Sequence, residues 1–185
     1  LVVPSSGYKY IIAKKIRIIK GDKNMDHNND ISENKKTLII IDACCHIPEA
    51  NVKSRKSKGK SAAGIIIIDE KGEKHPFGKY LGEMTTPEAE FNSLKYALDK
   101  ASEILKRNSV VEVRSDSELV IKWMTGEYRI KKEHIKDIYD DCKKLERRFF
   151  KVEYKHHPRD SKLAKEADKI AQQYYDSFIK GEDVK

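Results

Sequence analysis

The sequence predicts an α/β fold built on one mixed β-sheet. Three features carry this: a short β-branched apolar run at 37–45, a tight-turn signature at 69–72 between two strand-like segments, and amphipathic helical patterns from residue 87 onward that alternate with short apolar runs. Strands that follow one another across short connections pair antiparallel, whereas strands separated by a helix need a crossover and pair parallel. The order β, β, β, α, β, α, α, β, α therefore implies an antiparallel start and a parallel continuation.

Residues 1–36 differ from the rest, with an apolar and basic patch at 8–19 followed by a polar run at 21–36, and are expected to be a tail with a linker. The run 37–45 (TLIIIDACC) suits a strand buried on both faces, and 46–60 is a loop. Residues 61–69 (SAAGIIIID) form a second strand, and Asp69-Glu70-Lys71-Gly72 turns the chain into a third at 73–81. Thr86 is an N-cap candidate with Pro87 at the first helical position. Apolar residues then recur at Leu94, Ala97, Leu98, Ala101, Ile104 and Leu105, which predicts a helix over 87–107. A fourth strand occupies 110–115, after which Ser117 can cap a short helix that Gly126 stops. Ile135, Ile138, Tyr139, Cys142 and Leu145 mark a helix over 132–147, 149–156 is a fifth strand, and 161–179 is a last amphipathic helix. The folded domain is expected to span 37–180, with 181–185 as a tail.

Charged residues make up 37% of the chain and the net charge is +8, so a polyanion is the first partner to consider, and nucleic acid the first polyanion. The three cysteines, two of them adjacent, form no C-x-x-C pair and no zinc-spaced cluster, which fits a reduced intracellular protein. No apolar stretch approaches the ~18 residues of a membrane span. A soluble, cytoplasmic monomer without membrane association is expected.

Four carboxylates stand in positions that need explaining. Asp42 interrupts an otherwise buried strand after Leu38–Ile41. Glu90 lies four residues before Leu94 on the apolar stripe of its helix, where an unpaired charge is costly. Asp116 directly follows the fourth strand, at the carboxyl end where open sheets place their ligands. Asp168 lies between Ala164 and Ala171 and is expected on the inner face of its helix. Taken singly, each has an ordinary structural explanation. Together, four acids from four elements make sense around divalent cations, which favour hard oxygen ligands.

In order along the chain, Asp42 after LIII, Glu90 in TTPEAEFNSLKYAL, Asp116 in VRSDSELVIKWMTGEYRIK and Asp168 in HHPRDSKLAKEADKIA resemble the D, E, D, D signature of type 1 ribonuclease H, especially its archaeal-like, reverse-transcriptase-associated branch. The resemblance covers about 37–173. It implies a ribonuclease H-like fold, a five-stranded mixed sheet of order 3-2-1-4-5 with strand 2 antiparallel and helices on both faces. It also implies endonucleolytic cleavage of the RNA strand of RNA/DNA hybrids, giving 5′-phosphate and 3′-hydroxyl ends. By the same resemblance, Asp42 and Asp116 would be the central ligands of two Mg²⁺ or Mn²⁺ ions, completed by Glu90 and Asp168. In such a mechanism one ion activates water and the other stabilises the leaving oxygen. Glu90 would also sense the RNA 2′-hydroxyl.

This chain departs from the family pattern at three places. Asp42-Ala43-Cys44 replaces the usual D-G-S or D-G-A, Ala164 replaces the asparagine four before the last aspartate, and no histidine clearly occupies the family's mobile loop. His157 is a candidate auxiliary for proton transfer or product release, or else a plain strand-end histidine. Ala43, Cys44, Thr85, Thr86 and Arg159 are candidate substrate contacts. Lys53, Arg55 and Lys56 belong, with Lys58 and Lys60, to a basic run without acids that can meet backbone phosphates or remain a solvated loop. Trp123 suits a core position. Two alternatives share the fold: a related nuclease with another substrate, and a non-catalytic nucleic-acid-binding or interaction module. A proofreading-type exonuclease is disfavoured because Cys44 stands where a second acid is required. Replacing the basic run by serine is expected to weaken hybrid binding and flatten its dependence on salt, by about 0.9 in the log–log slope for each phosphate no longer neutralised. An unchanged salt slope would exclude the run from the interface.

Overall fold

The computed structural model describes residues 36–49 and 57–181. The tail expected at 1–36 falls almost entirely outside these residues, as do Lys53, Arg55 and Lys56. The elements run β1 (Thr37–His46), β2 (Gly59–Ile68), β3 (Lys74–Met84), α1 (Thr86–Ile104), β4 (Val110–Ser115), α2 (Glu118–Thr125), α3 (Glu133–Glu146), β5 (Lys151–His156) and α4 (Lys162–Lys180). The five strands form one sheet of order β3-β2-β1-β4-β5. The β1–β2 and β2–β3 pairs are antiparallel, whereas β1–β4 and β4–β5 are parallel, so the predicted mixed sheet is the one observed. Among the described residues no helix is long and apolar enough to cross a membrane.

Alternation along β1 sends Ile39 and Ile41 to one face, into a core with Phe91, Leu94, Leu98, Val111 and Val113. Trp123 packs against that core as expected, its ring centroid 5.5 Å from that of Phe91. Ile40 and Cys44 face the other way, onto the small-residue stripe Ala167 and Ala171 of α4. The sheet is thus covered on both faces, by α1 with its neighbours on one and by α4 on the other. Gly64 of β2, the register partner of Asp42, lets α4 come close: a Cβ there would lie 1.9 Å from the Ala167 carbonyl oxygen.

Element ends differ from the sequence expectation for identifiable reasons. The third strand does not end at 81. A bulge opposite Ser61/Ala62 absorbs a residue, Gly82 takes φ 94°, and β3 resumes to Met84. The N-cap of α1 is Thr85 rather than Thr86, because Glu88 reaches back to accept hydrogen bonds from the Thr85 N–H (2.8 Å) and hydroxyl (2.6 Å). Ser117 caps α2 and Gly126 ends it in the left-handed conformation, as expected, and Ser161 caps α4. The turn before β3 is held by the Asp69 carboxylate, which accepts from the N–H groups of Lys71 and Glu73, both at 2.9 Å.

Gly64→Ala is expected to force α4 off the sheet. The predicted loss is roughly 3 kcal/mol of unfolding free energy by chemical denaturation, at the upper end for overpacking because the obstacle is backbone. A midpoint equal to wild type would contradict this close packing.

Candidate active site

The register of β1 and β4 pairs Ile40 with Arg114, so Asp42 and Asp116, each two residues further on, stand level on adjacent strands. Asp42 is buried, only 8% exposed, because β2 flanks it and α4 lies over it. Glu90 is half-buried on the first turns of α1, between the fully buried Ala89 and Phe91. Asp168 corrects the sequence expectation: it is exposed, not on the inner face of its helix. The stripe that meets the sheet is Ala164, Ala167 and Ala171, and Asp168 lies one residue around the helix from it, at the rim.

Electrostatics join these four groups. Burial, then the charge of Asp116 and to a lesser degree that of Asp168, pushes the Asp42 carboxyl up to about 7, although the Ala43 N–H donates to it at 2.7 Å. Burial also raises Glu90, opposed by a hydrogen bond from Ser117 and reinforced by Asp116. The Arg159 guanidinium lies 3.4 Å from Asp116 Oδ2 and acts favourably on both Asp42 and Glu90. Four acids and one exposed arginine make a site short of positive charge, and the donor set is all oxygen, which fits Mg²⁺ or Mn²⁺. The acids are not drawn tight. Among the described residues, the one trio of His, Asp or Glu donors lying within 4.8 Å of one another is elsewhere, at Asp69, Glu73 and His75 of the β2–β3 turn.

The other sequence candidates divide. Ala43 is half-buried beside Asp42, while the Cys44 side chain packs into the core against Ala62 and Ala171, and burial pushes its thiol up to about 11. Thr85 and Lys132 line two adjoining cavities of about 300 and 600 Å³, the first with Trp123, Arg129 and Lys131, the second with Lys58 and His134. Thr86 is exposed on the same turn. His157 is buried: its N–H donates to the Ser115 carbonyl at 3.0 Å, its Nδ1 lies 3.1 Å from Ser161 Oγ, and burial lowers its pKa. That environment matches the strand-end alternative better than a mobile proton carrier. The exposed neighbour His156 instead reaches the site, with Nε2 3.2 Å from the Asp116 carbonyl oxygen. Sequence reasoning cast Ser117 only as a cap; its bond to Glu90 depends on the packing of α1 against α2 and has no local signature.

A profile of the reverse transcriptase-like family matches residues 49–174, more than half of the chain. The chain belongs to this family, and it is ribonuclease H-like. Solved structures agree with that assignment. The LC11 ribonuclease H1 from a compost metagenome, solved in complex with an RNA/DNA hybrid, is 26% identical at a TM-score of 0.66, covering 78% of this chain and 99% of its own. Ribonuclease H1 from Halobacterium salinarum is 23% identical at 0.65, covering 77% and 98%. The N-terminal ribonuclease H domain of rv2228c from Mycobacterium tuberculosis is 21% identical at 0.63, covering 79% and 99%. These last two likenesses establish the fold. A search of curated proteins returns no match. The profile begins seven residues after Asp42, so in this ribonuclease H-like domain the first acid rests on strand position and geometry rather than on the family match.

The raised Asp42 pKa sets a pH dependence. In the unfolded chain this carboxyl ionises near 4 and in the folded, metal-free protein near 7, so the folded state binds the extra proton between those values and its stability falls as pH rises through that window. Asp42→Asn is therefore expected to stabilise the metal-free protein by on the order of 2 kcal/mol at about pH 8 and by little at about pH 4. Thermal melts at both pH values check this; equal shifts at the two would show that Asp42 is not strained by its neighbours.

Proposed function

We propose that this domain is a divalent-metal-dependent endonuclease that cleaves the RNA strand of RNA/DNA hybrids, leaving 5′-phosphate and 3′-hydroxyl ends. The observation that carries the reading is that acids from separate elements act on one another, Asp116 and Asp168 on Asp42, and Asp116 on Glu90, beside the parallel β1–β4 pair. Family membership supports it, as does the likeness to LC11 ribonuclease H1 in complex with an RNA/DNA hybrid.

Asp42 and Asp116 would hold the ions centrally, with Glu90 and Asp168 on either side. Bound divalent ions supply a water of lowered pKa and neutralise charge that builds on the phosphate oxygens. The water oxygen bonds to phosphorus while the P–O3′ bond breaks, and the 3′ oxygen leaves as a hydroxyl. Glu90, raised by burial, is placed to meet the RNA 2′-hydroxyl, the group that tells RNA from DNA. Arg159, exposed beside Asp116, and Lys58 and Lys132 at the cavity they share with Glu88 and His134 are candidate contacts for backbone phosphates.

Incubating an end-labelled hybrid with the protein and Mg²⁺ or Mn²⁺ is expected to shorten the RNA strand alone, with single-stranded RNA and duplex DNA left intact. Asp116→Asn is expected to lower the rate by at least about 10³-fold, as for loss of a group that stabilises charge in the transition state. A wild-type chain that binds the hybrid and leaves it whole under both metals would establish the non-catalytic alternative.

A further inference from the structure

Ser117 is 7% exposed and joins three elements. Its N–H donates to Ser115 Oγ at 3.1 Å, which ties it to the end of β4. Its Oγ accepts from the Val120 N–H at 3.4 Å, the N-cap bond of α2. The same hydroxyl donates its proton to Glu90 Oε2 on α1. Asp116, adjacent in sequence, repels Glu90, and Arg159, with 79% of its side chain exposed, is a weak electrostatic restraint. A carboxylate on a three-bond side chain beside a like charge turns away unless a donor holds it.

We propose that Ser117 is a positioning residue that fixes the Glu90 carboxylate relative to Asp116, so that both can serve the same cation. This rests on the metal-dependent nuclease reading and adds to it the element that sets the distance between two of its acids. A hydroxyl suits the task because it can cap α2 with its lone pairs and hold Glu90 with its proton at the same time. Alanine would remove both roles together. Glycine separates them, since it serves nearly as well as serine at an N-cap but has no proton to donate.

The experiment is calorimetric titration of the full chain with Mn²⁺, for wild type, Ser117→Gly, Ser117→Thr and each in a Glu90→Gln background, beside metal-free melting curves and hybrid cleavage. Ser117→Gly is expected to melt within a few degrees of wild type without metal and to bind Mn²⁺ at least about tenfold more weakly, the scale on which groups that orient ligands act. Its kcat falls and its KM for hybrid stays near wild type, Ser117→Thr restores both, and in Glu90→Gln the glycine has no further effect. Should glycine compromise folding, Ser117→Asn, which caps and still offers an N–H to Glu90, is expected to retain Mn²⁺ affinity. Wild-type affinity in Ser117→Gly, an equal loss in the Glu90→Gln background, or loss in both Ser117→Thr and Ser117→Asn overturns the proposal. If wild type binds Mn²⁺ and leaves hybrid uncut, the nuclease reading fails and the affinities alone decide the role of Ser117. A wild type that binds no Mn²⁺ overturns both.

Discussion

Parallel pairing of β1 with β4 places Asp42 and Asp116 level on neighbouring central strands, and the rest of the site depends on that pairing. Asp42 lies within β1 and Asp116 directly follows β4, so both carboxylates are carried by neighbouring backbone segments rather than by a free surface loop. Burial chiefly, and then the charge of Asp116, pushes the Asp42 carboxyl up to about 7. Glu90 and Asp168 arrive on helices packed against opposite faces of the same sheet. Their approach is set by packing: Phe91 and Leu94 seat α1, and Gly64 with Ala167 and Ala171 seats α4.

That arrangement explains why Gly64 lies in mid-strand, where glycine is otherwise unfavourable. A Cβ at the register partner of Asp42 would collide with the α4 backbone one residue before Asp168. Close packing at this point and the position of the last acid are one constraint. The charge balance has a matching logic. Glu112, a buried acid on β4 outside the site, is surrounded by cations, with Lys155 at 2.5 Å and Arg114 at 2.6 Å, and its pKa is lowered. Asp42, more deeply set among neighbouring atoms and without an ion-pair partner among the described residues, is raised chiefly by burial. The protein neutralises one buried carboxylate and leaves the other group short of cation.

Much of this was legible in the sequence because it is local. Apolar runs or periodicity marked most strands and the long helices, the 69–72 turn marked β3, Ser117 and Gly126 announced the ends of α2, and the order of elements led to the mixed sheet. Asp42 and Glu90 stood out as charges in apolar surroundings, and Asp116 as an acid directly after a strand. What stayed hidden depends on how distant segments meet. Asp168 was expected on the inner face because it stands between Ala164 and Ala171, but it lies at the helix rim because α4 presents Ala164, Ala167 and Ala171 to the sheet. Cys44 and His157 are buried by neighbours far along the chain, and the extension of β3 past Gly82 needs the bulge opposite Ser61. The Ser117–Glu90 and Arg159–Asp116 contacts join residues from separate elements.

The fold raises the Asp42 carboxyl so that it takes up a proton near neutral pH, and on the proposed metal-dependent function a bound divalent cation would displace that proton. Titrating the protein with Mn²⁺ at about pH 6.5 in two buffers of different ionisation enthalpy measures the protons released on binding. Wild type is expected to release on the order of half a proton or more, and Asp42→Asn close to none. Binding without proton release, or equal release from both proteins, would contradict the account.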